Sequence, residues 1–248
     1  MIIRPEKAPS ATLLGFLNED QLKRLRRLRW PAWIGVSRQT SPVSRNWGAE
    51  RGTPVGRWYE QRFLDAHVGD IRGCLLEIRD KRYSAQHPNI TRIDVLDIDP
   101  NVPGVTIVGD LSDMPHVPSD TYDCAIVTRV FQYMRDVPAA IRELYRVLCP
   151  GGVLLSVHNG VPGRLTQLDC EGEFEREFLT LSPHGTRTLF EEVFGPNNVT
   201  VEEWGNVIAC LAFLRGVAAE EVGERRLLVK DPYFPQTITV RATKGTTL

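Results

Sequence analysis

Long apolar runs are missing from this sequence. The longest lies near Val207–Leu214, far short of the ~20 apolar residues that a membrane-spanning helix needs. The first residues, Met1–Lys7, lack the apolar core of a secretory signal. We therefore expect a cytoplasmic protein that does not bind a membrane.

An excess of charge of one sign is also missing. The 30 Lys and Arg residues balance 31 Asp and Glu residues, which gives a formal net charge of −1. A field this weak drives binding neither to nucleic acid nor to anionic lipid. We therefore expect a small molecule as substrate, whereas nothing in the sequence indicates an oligomeric state.

Cysteine is scarce, and its spacing forms no pattern. The five residues are odd in number and include no CxxC pair; they are Cys74, Cys124, Cys149, Cys170 and Cys210. This distribution favours reduced thiols over a disulfide framework or a zinc site. We therefore expect no metal site.

A dinucleotide-binding motif is absent as well. No G-x-G-x-x-G follows a predicted strand, which argues against a nicotinamide-dependent oxidoreductase. Internal repeats and low-complexity tracts are also lacking. The 248 residues, 42% of them hydrophobic, indicate an ordinary globular chain.

Short apolar segments alternate with helical ones from residue 73 onward. The predicted strands are 74–78, 92–97, 105–108, 122–128, 153–157, 199–204 and 237–242. The predicted helices are 55–67, 137–148, 182–195 and 206–222. Such alternation predicts an α/β fold, with a mostly parallel sheet and helices on both faces.

The first 54 residues differ in composition from the rest. A helix is predicted at Gln21–Trp30, and its arginine-rich face is interpreted as solvated rather than anion-binding. The following stretch, Ser37–Pro54, is rich in Ser, Pro, Gly and Arg and predicts a loop. We expect residues 1–54 to form a helical extension or lid. Residues 55–248 then form one domain with an insertion at about 159–181.

Acidic residues stand at three successive strand ends. Glu77 ends the first strand, Asp97 ends the second, and Asp110 follows the third. In open α/β sheets, ligands bind beyond the carboxyl ends of the strands. There a carboxylate can accept hydrogen bonds from both ribose hydroxyls or from an adenine amino group. The pattern predicts a nucleoside site; the alternative is that Asp97 and Asp110 only cap the turns that follow them.

The same region resembles the class I S-adenosylmethionine-dependent methyltransferases. The matching stretches are CLLEI (74–78), DIDP (97–100), VGDLSDMPHVPSDTYDCAIVTRVFQYM (108–134) and LYRVLCPGGVLLSV (144–157). A bacterial subfamily with a glycine-poor first motif, LEI-x-D-x-x-Y, is similar beyond these stretches. Its further matches are RG-x-P-x-x-R (51–57), LFEEVFG (189–195), GNV (205–207) and DPYFPQTITVRA (231–242).

The resemblance implies a Rossmann-like sheet of seven strands and S-adenosylmethionine as cofactor. The implied contacts are Glu77 near the methionine end, Asp97 on the ribose, Asp110 and Leu111 on adenine, and Thr128 beneath the sulfonium. Asp94 is a rival of Asp97 for the ribose, because relatives also carry an acid at this end of the second strand. Tyr83 belongs to the first motif. Arg57 and Tyr59 would contact the cofactor from a lid over its methionine end.

The turn after the first strand departs from the family. Most members have a glycine-rich turn there, but Arg79–Ser84 contains no glycine. Too few residues follow for the usual helix between the first two strands. Arg79 either obstructs the usual cofactor position or pairs with the carboxylate of the cofactor's amino acid moiety.

Two residues are candidates for catalysis. His158 follows the fifth strand, where an imidazole with an ordinary pKa can act as a general base; the alternative is a hydrogen-bonded loop histidine. Tyr133 stands where many methyltransferases have histidine, and it lines the site or packs in the core. The 171–180 segment lacks the tryptophans of the relatives' pattern, which predicts an altered acceptor pocket.

We therefore expect methyl transfer to a small-molecule acceptor of natural-product or sugar type. Two alternatives remain at this point. The amino acid chain of S-adenosylmethionine can attack itself, which gives a cyclic amino acid and methylthioadenosine. The chain can also be a non-catalytic relative that binds a partner.

Overall fold

The alternating segments form one sheet of seven strands. The computed structural model describes residues 18–29, 40–85, 87–162 and 177–246. Its strands are β1 (Gly73–Ile78), β2 (Ile90–Asp97), β3 (Ile107–Val108), β4 (Tyr122–Thr128), β5 (Leu148–Asn159), β6 (Val199–Trp204) and β7 (Thr237–Thr243). Each predicted strand is present, and β4 and β6 have the predicted bounds.

The strand directions place most carboxyl ends at one edge of the sheet. The strand order is β3-β2-β1-β4-β5-β7-β6. The pairs among the first five strands are parallel, whereas β7 runs antiparallel to β5 and β6. Because β6 thus runs in the direction of β5, every strand except β7 ends at this edge, called here the carboxyl edge. The predicted mostly parallel α/β fold is confirmed.

The described residues form seven helices, some of which cover the two faces of the sheet. They are α1 (Glu19–Arg29), α2 (Val55–Ala66), α3 (Val137–Val147), α4 (Pro183–Phe194), α5 (Val207–Arg215), α6 (Ala219–Val222) and α7 (Glu224–Leu227). Successive strand residues face opposite sides. Accordingly, Leu75 joins a buried cluster with Phe63 of α2, and Leu76 joins another with Ile141 of α3 and Phe190 of α4.

The connection between β1 and β2 is short, as predicted. Residues 79–85 and 87–89 contain no helix. Arg79 has a φ of 74°, in the left-handed region that glycine adopts without steric cost. Its N–H donates to Leu96 O at 2.9 Å, which ties the turn to β2. The arginine therefore occupies a backbone conformation suited to glycine.

The long helix predicted at 206–222 was wrong in its length. The chain instead forms α5, α6 and α7, separated at Gly216 and Gly223, which have φ values of 68° and 87°. A Cβ at Gly216 would collide with the backbone carbonyl of Ser44. The break therefore lets the N-terminal segment approach the end of α5. Because these helices connect β6 to β7, they also begin and end at the carboxyl edge.

The N-terminal segment packs on these C-terminal helices. The N–H groups of Val43 and Ser44 donate to Arg215 O at 2.9 and 3.3 Å. Arg51 forms a buried ion pair with Glu221 of α6 at 2.6 Å. Helix α1 donates from Arg26 and Arg27 to the carbonyls of residues 50 and 51. Residues 40–54 are therefore anchored to 215–221; residue 30 of the predicted helix and residues 37–39 of the predicted loop lie outside the described residues.

None of the described helices combines the length and the apolar character that a bilayer crossing requires. The longest have 12 residues.

Candidate cofactor and acceptor site

Glu77 ends β1 with its carboxylate turned toward the chain's own connector. The side chain is 2% exposed. Its oxygens accept from Tyr83 N–H at 3.0 Å, from Ser84 N–H at 3.2 Å and from the Ser84 hydroxyl. Burial raises the pKa of Glu77 to about 7, although the Ser84 hydrogen bonds oppose this shift. Glu77 therefore holds the turn that replaces a glycine-rich loop.

Asp97 and Asp110 present carboxylate oxygens at neighbouring strand ends. Asp97 Oδ1 accepts from Asp99 N–H at 2.9 Å, and Asp110 Oδ1 accepts from the N–H and hydroxyl of Ser112 at 2.8 and 2.7 Å. Each residue thus caps its own turn, as the structural alternative required. Within the described parts of the chain, the Oδ2 atom of each carries no hydrogen bond. Both functions are compatible, since one oxygen of each carboxylate remains to accept from hydroxyl or amino groups.

The end of β4 carries a charged cluster that the sequence analysis missed. Half-buried Thr128 ends the strand, and Arg129 follows with a φ of 56°. The guanidinium of Arg129 donates from Nε to Glu60 Oε2 of α2 at 2.8 Å and from Nη1 to Asn159 Oδ1 at 2.6 Å. A Cβ at Gly56 would collide with this guanidinium. The cluster fixes α2 against the carboxyl edge, and its sequence signal was Gly56, which stands at a variable position of the 51–57 motif.

His158 lies near the end of β5 and is 3% exposed. Its ring packs beside Phe131 at 5.3 Å and Phe190 at 6.0 Å between ring centroids. Neither ring nitrogen has a hydrogen-bond partner among the described residues. Burial, helped by the charge of Arg129, lowers the pKa of His158 to about 3. The expected ordinary pKa was therefore wrong, and the imidazole is neutral at physiological pH.

A pocket opens beside His158. Its lining consists of Phe131, Gln132, His158, Asn159, Glu177, Leu179, Thr180 and Leu181. Burial raises the pKa of Glu177, so this carboxylate is more basic than an exposed one. The pocket thus combines an apolar wall with a neutral imidazole and a carboxyl group. Glu177 was not a predicted site residue, because only the fold brings it beside β5.

Three predicted cofactor residues have side chains that the fold itself uses. Tyr59 is fully buried, and its hydroxyl donates to Leu227 O at 2.7 Å. Asp94 lies within β2, three residues before its end, where it accepts from the Tyr122 hydroxyl at 3.0 Å. Leu111 packs in the main core. We correct these assignments, because each side chain is already used in packing or hydrogen bonding.

The remaining predicted residues have less decisive positions. Arg79 and Arg57 are exposed. The ring of Tyr83 packs against the cluster that contains Phe63. Tyr133 is half-buried in a short 3-10 helix and does not line the pocket.

The predicted acceptor segment is described only from residue 177 onward. Phe178 donates its N–H to Gln132 O at 2.7 Å, and its exposed ring carries the guanidinium of Arg135 at 5.0 Å. Residues 171–176 of this segment, and most of the predicted 159–181 insertion, lie outside the described residues.

The residues at the carboxyl edge suit a nucleoside-containing cofactor. The second oxygens of Asp97 and Asp110 suit ribose hydroxyls and an adenine amino group. Glu77 has its oxygens occupied by the connector, so it leaves the methionine end to other groups. Exposed Arg79 is one of three exposed cations in the turn, together with Lys81 and Arg82.

Comparison with known proteins agrees with this geometry. Residues 67–156 match the family model of a methyltransferase domain. Over 73 residues the chain is 36% identical to malonyl-[acyl-carrier protein] O-methyltransferase of Serratia marcescens. The matched stretch covers 26% of this chain and 28% of that protein. The chain therefore spans little more than a quarter of this curated relative.

Solved structures share the fold at low sequence identity. The [4+2]-cyclase SpnF superposes with a TM-score of 0.51 and 15% identity, over 93% of this chain and 98% of that chain. A SAM-dependent methyltransferase from Archaeoglobus fulgidus has a TM-score of 0.49 and 11% identity, over 76% of this chain and 94% of that chain.

Proposed function

We infer, from the membership of residues 67–156 in the methyltransferase domain family, that this chain is an S-adenosylmethionine-dependent methyltransferase acting on a small molecule. The observation that carries this proposal is the arrangement of the carboxyl edge. Carboxylate oxygens that can accept hydrogen bonds from a nucleoside lie at the ends of β2 and β3. A pocket lined by a neutral imidazole lies at the end of β5. The predicted class I fold supports the same function.

The nucleoside half of the cofactor would be held by acidic side chains. Asp97 Oδ2 would accept from the ribose hydroxyls, and Asp110 Oδ2 would accept from the adenine amino group. Thr128, at the end of the adjacent β4, would border the sulfonium. When bound, the cofactor supplies an electrophilic methyl group.

Arg79 would hold the carboxylate at the methionine end. Its guanidinium can bind a carboxylate with two parallel hydrogen bonds. The backbone of this residue is left-handed, so the chain turns here although the turn contains no glycine. This assignment gives a function to an arginine in an otherwise unfavourable conformation.

The pocket beside β5 would orient the acceptor. A neutral imidazole has one N–H donor and one acceptor nitrogen, and both nitrogens of His158 lack partners among the described residues. With a pKa of about 3, His158 suits hydrogen bonding better than proton removal. Glu177, whose pKa burial raises, would take the acceptor's proton.

The acceptor would be a hydroxyl-bearing small molecule of natural-product or sugar type. The pocket beside Phe131, Leu179 and Leu181 is small and would receive only the reacting hydroxyl group of this molecule. Holding the hydroxyl in line with the methyl group supplies much of the rate enhancement, because positioning replaces a bimolecular encounter.

Incubation of the protein with S-adenosylmethionine, followed by mass spectrometry of all products, tests this function. We expect S-adenosylhomocysteine to form only when an acceptor from a panel of hydroxylated compounds is present. Release of methylthioadenosine in the absence of an acceptor would show that the cofactor cyclises and that methyl transfer is not the reaction. Failure to bind S-adenosylhomocysteine in calorimetry would identify a non-catalytic relative.

A further inference from the structure

Helix α5 exposes an apolar face that continues onto the segment after α7. Val207, Ile208, Leu211 and Leu214 are all exposed. At 100° per residue these positions form one stripe, whereas Ala209, Cys210, Ala212 and Phe213 on the other side of the helix are buried. Helix α5 is therefore apolar on both sides, and only one side packs against the parts of the chain that the structure describes.

The stripe is extended by four exposed side chains of residues 228–234. Asn206, the N-cap of α5, donates to Val229 O at 2.7 Å. The Cys210 thiol donates to Phe234 O at 3.4 Å. These bonds hold the segment alongside α5. The α5 patch, as we define it, consists of Val207, Ile208, Leu211, Leu214, Leu228, Val229, Tyr233 and Phe234.

The patch is too large to be scattered surface hydrophobicity. Its members range from 36% exposed for Ile208 to 87% for Tyr233. Together they expose on the order of 700 Å², since a large aromatic side chain covers about 150–250 Å². The largest apolar patch of a typical monomer is about 300–600 Å². A standard protein interface takes about 800 Å² from each partner, which the patch nearly supplies.

The α5 part of the patch carries no charge, whereas exposed Glu224, Arg225 and Arg226 directly precede its second segment. Helix α5 has no charged residue before Arg215. Lys230 pairs with Glu202 at 3.2 Å and lies over the Trp204 ring. The carboxylate of Asp231 accepts from Tyr233 N–H at 3.0 Å. An uncharged centre with charged residues at its margin is typical of protein interfaces.

We propose that the α5 patch is the interface of a homodimer, in which α5 packs against α5 of a second copy of this chain. A two-fold axis brings the same patch of both copies together. The exposed apolar area and the uncharged face of α5 favour a second copy over a charged partner. This proposal is independent of the chemistry at the carboxyl edge.

Sedimentation velocity on the full chain tests the interface. At about 10 µM, a concentration that populates a complex of micromolar affinity, we expect the wild type to sediment with twice the mass of 28.0 kDa. Leu214→Lys should raise the dimer dissociation constant by roughly 100-fold or more. The control is Val68→Lys, because Val68 and Leu214 are both 51% exposed and Val68 lies outside the patch. It should leave the dimer intact.

Three results would overturn the proposal. A dimer that survives Leu214→Lys would use another surface. A monomeric wild type would exclude the second copy. In the third result, the wild type is monomeric, and Leu214→Lys lowers its unfolding free energy whereas Val68→Lys does not. This would show that the chain itself covers the patch. Circular dichroism of both variants verifies that each has folded.

Discussion

Tyr83 N–H donates a 3.0 Å hydrogen bond to Glu77 Oε1. The acid at the end of β1 therefore binds the connector to β2, and Ser84 binds its other oxygen. In this chain the carboxyl group of Glu77 accepts the hydrogen bonds that hold the glycine-free turn between β1 and β2. The energetics of Glu77 thus report on the turn, independently of any ligand.

Stability should depend on the ionisation of Glu77. Burial raises its pKa to about 7, above the value of about 4.3 in an unfolded chain. A raised folded pKa gives stability that is complete below the unfolded pKa and is lost as the pH rises through the folded one. Relative to Glu77→Gln, the wild type should lose on the order of 1–3 kcal/mol between about pH 4 and 8. Urea unfolding across this range measures the difference.

Exposed Glu224, paired with Arg62, is the matched control for this titration. Glu224→Gln should follow the wild-type pH profile. Parallel profiles for wild type and Glu77→Gln would show that folding does not raise the pKa of Glu77.

Replacing Arg79 by glycine should stabilise the fold. The left-handed φ of 74° costs a non-glycine residue about 1–2 kcal/mol, and the greater unfolded-state entropy of glycine offsets about half of this gain. We expect Arg79→Gly to raise the unfolding free energy by roughly 0.5–1 kcal/mol. Arg82→Gly, in the same turn but without a left-handed φ, should lower it. A destabilised Arg79→Gly would mean that the arginine side chain stabilises the turn.

Asp97→Ala should weaken S-adenosylhomocysteine binding. Loss of a charged hydrogen bond to the ribose costs about 1–3 kcal/mol, which calorimetry detects as a higher dissociation constant. Asp99→Ala is the control, because Asp99 is exposed and caps Asn101 through its carboxylate. Equal affinities for wild type and Asp97→Ala would remove Asp97 from the ribose site.

The ion pair of Arg129 and Glu60 should stabilise the position of α2. Glu60 is almost fully buried and its partner is 22% exposed. Removing one partner of such a pair leaves a charge with poor solvation. We expect Glu60→Ala to cost roughly 2–4 kcal/mol of unfolding free energy. Glu224→Ala, which breaks the exposed pair with Arg62, should cost about 0–1 kcal/mol. Similar losses in the two variants would contradict a stabilising role.

The sequence predicted the sheet better than the contents of its carboxyl edge. Short apolar runs predicted the strands, and apolar residues at helical spacing predicted the helices. The sequence also predicted that Asp97 and Asp110 could cap the turns that follow them. Glu177 and Arg129 were not recognised, because their environments depend on contacts between distant segments. The pKa of His158 escaped prediction for the same reason, since burial by the fold sets it.

The break of the predicted 206–222 helix has a related cause. The glycines at 216 and 223 were visible, but glycine also occurs inside helices. Only the contact of Gly216 with Ser44 requires the break at that position. Likewise, the motif at 51–57 predicted contact with the cofactor, whereas Arg51 pairs with Glu221. A motif indicates that its residues matter without identifying what they contact.

His158 should remain neutral far below an ordinary histidine pKa. Burial and the Arg129 charge lower its pKa to about 3, below the value of about 6.5 in an unfolded chain. A lowered histidine pKa gives stability above pH 6.5 that is lost as the pH falls toward 3. In an NMR titration, the imidazole signal that disappears in His158→Phe should stay constant from pH 8 to about 4.5. His158→Phe should also retain on the order of 2 kcal/mol more of its stability than the wild type over this interval. His116→Phe, at an exposed position, identifies a second signal and serves as the control. A His158 signal that titrates near pH 6.5 would restore the histidine as a candidate general base and would remove the reason for assigning proton removal to Glu177.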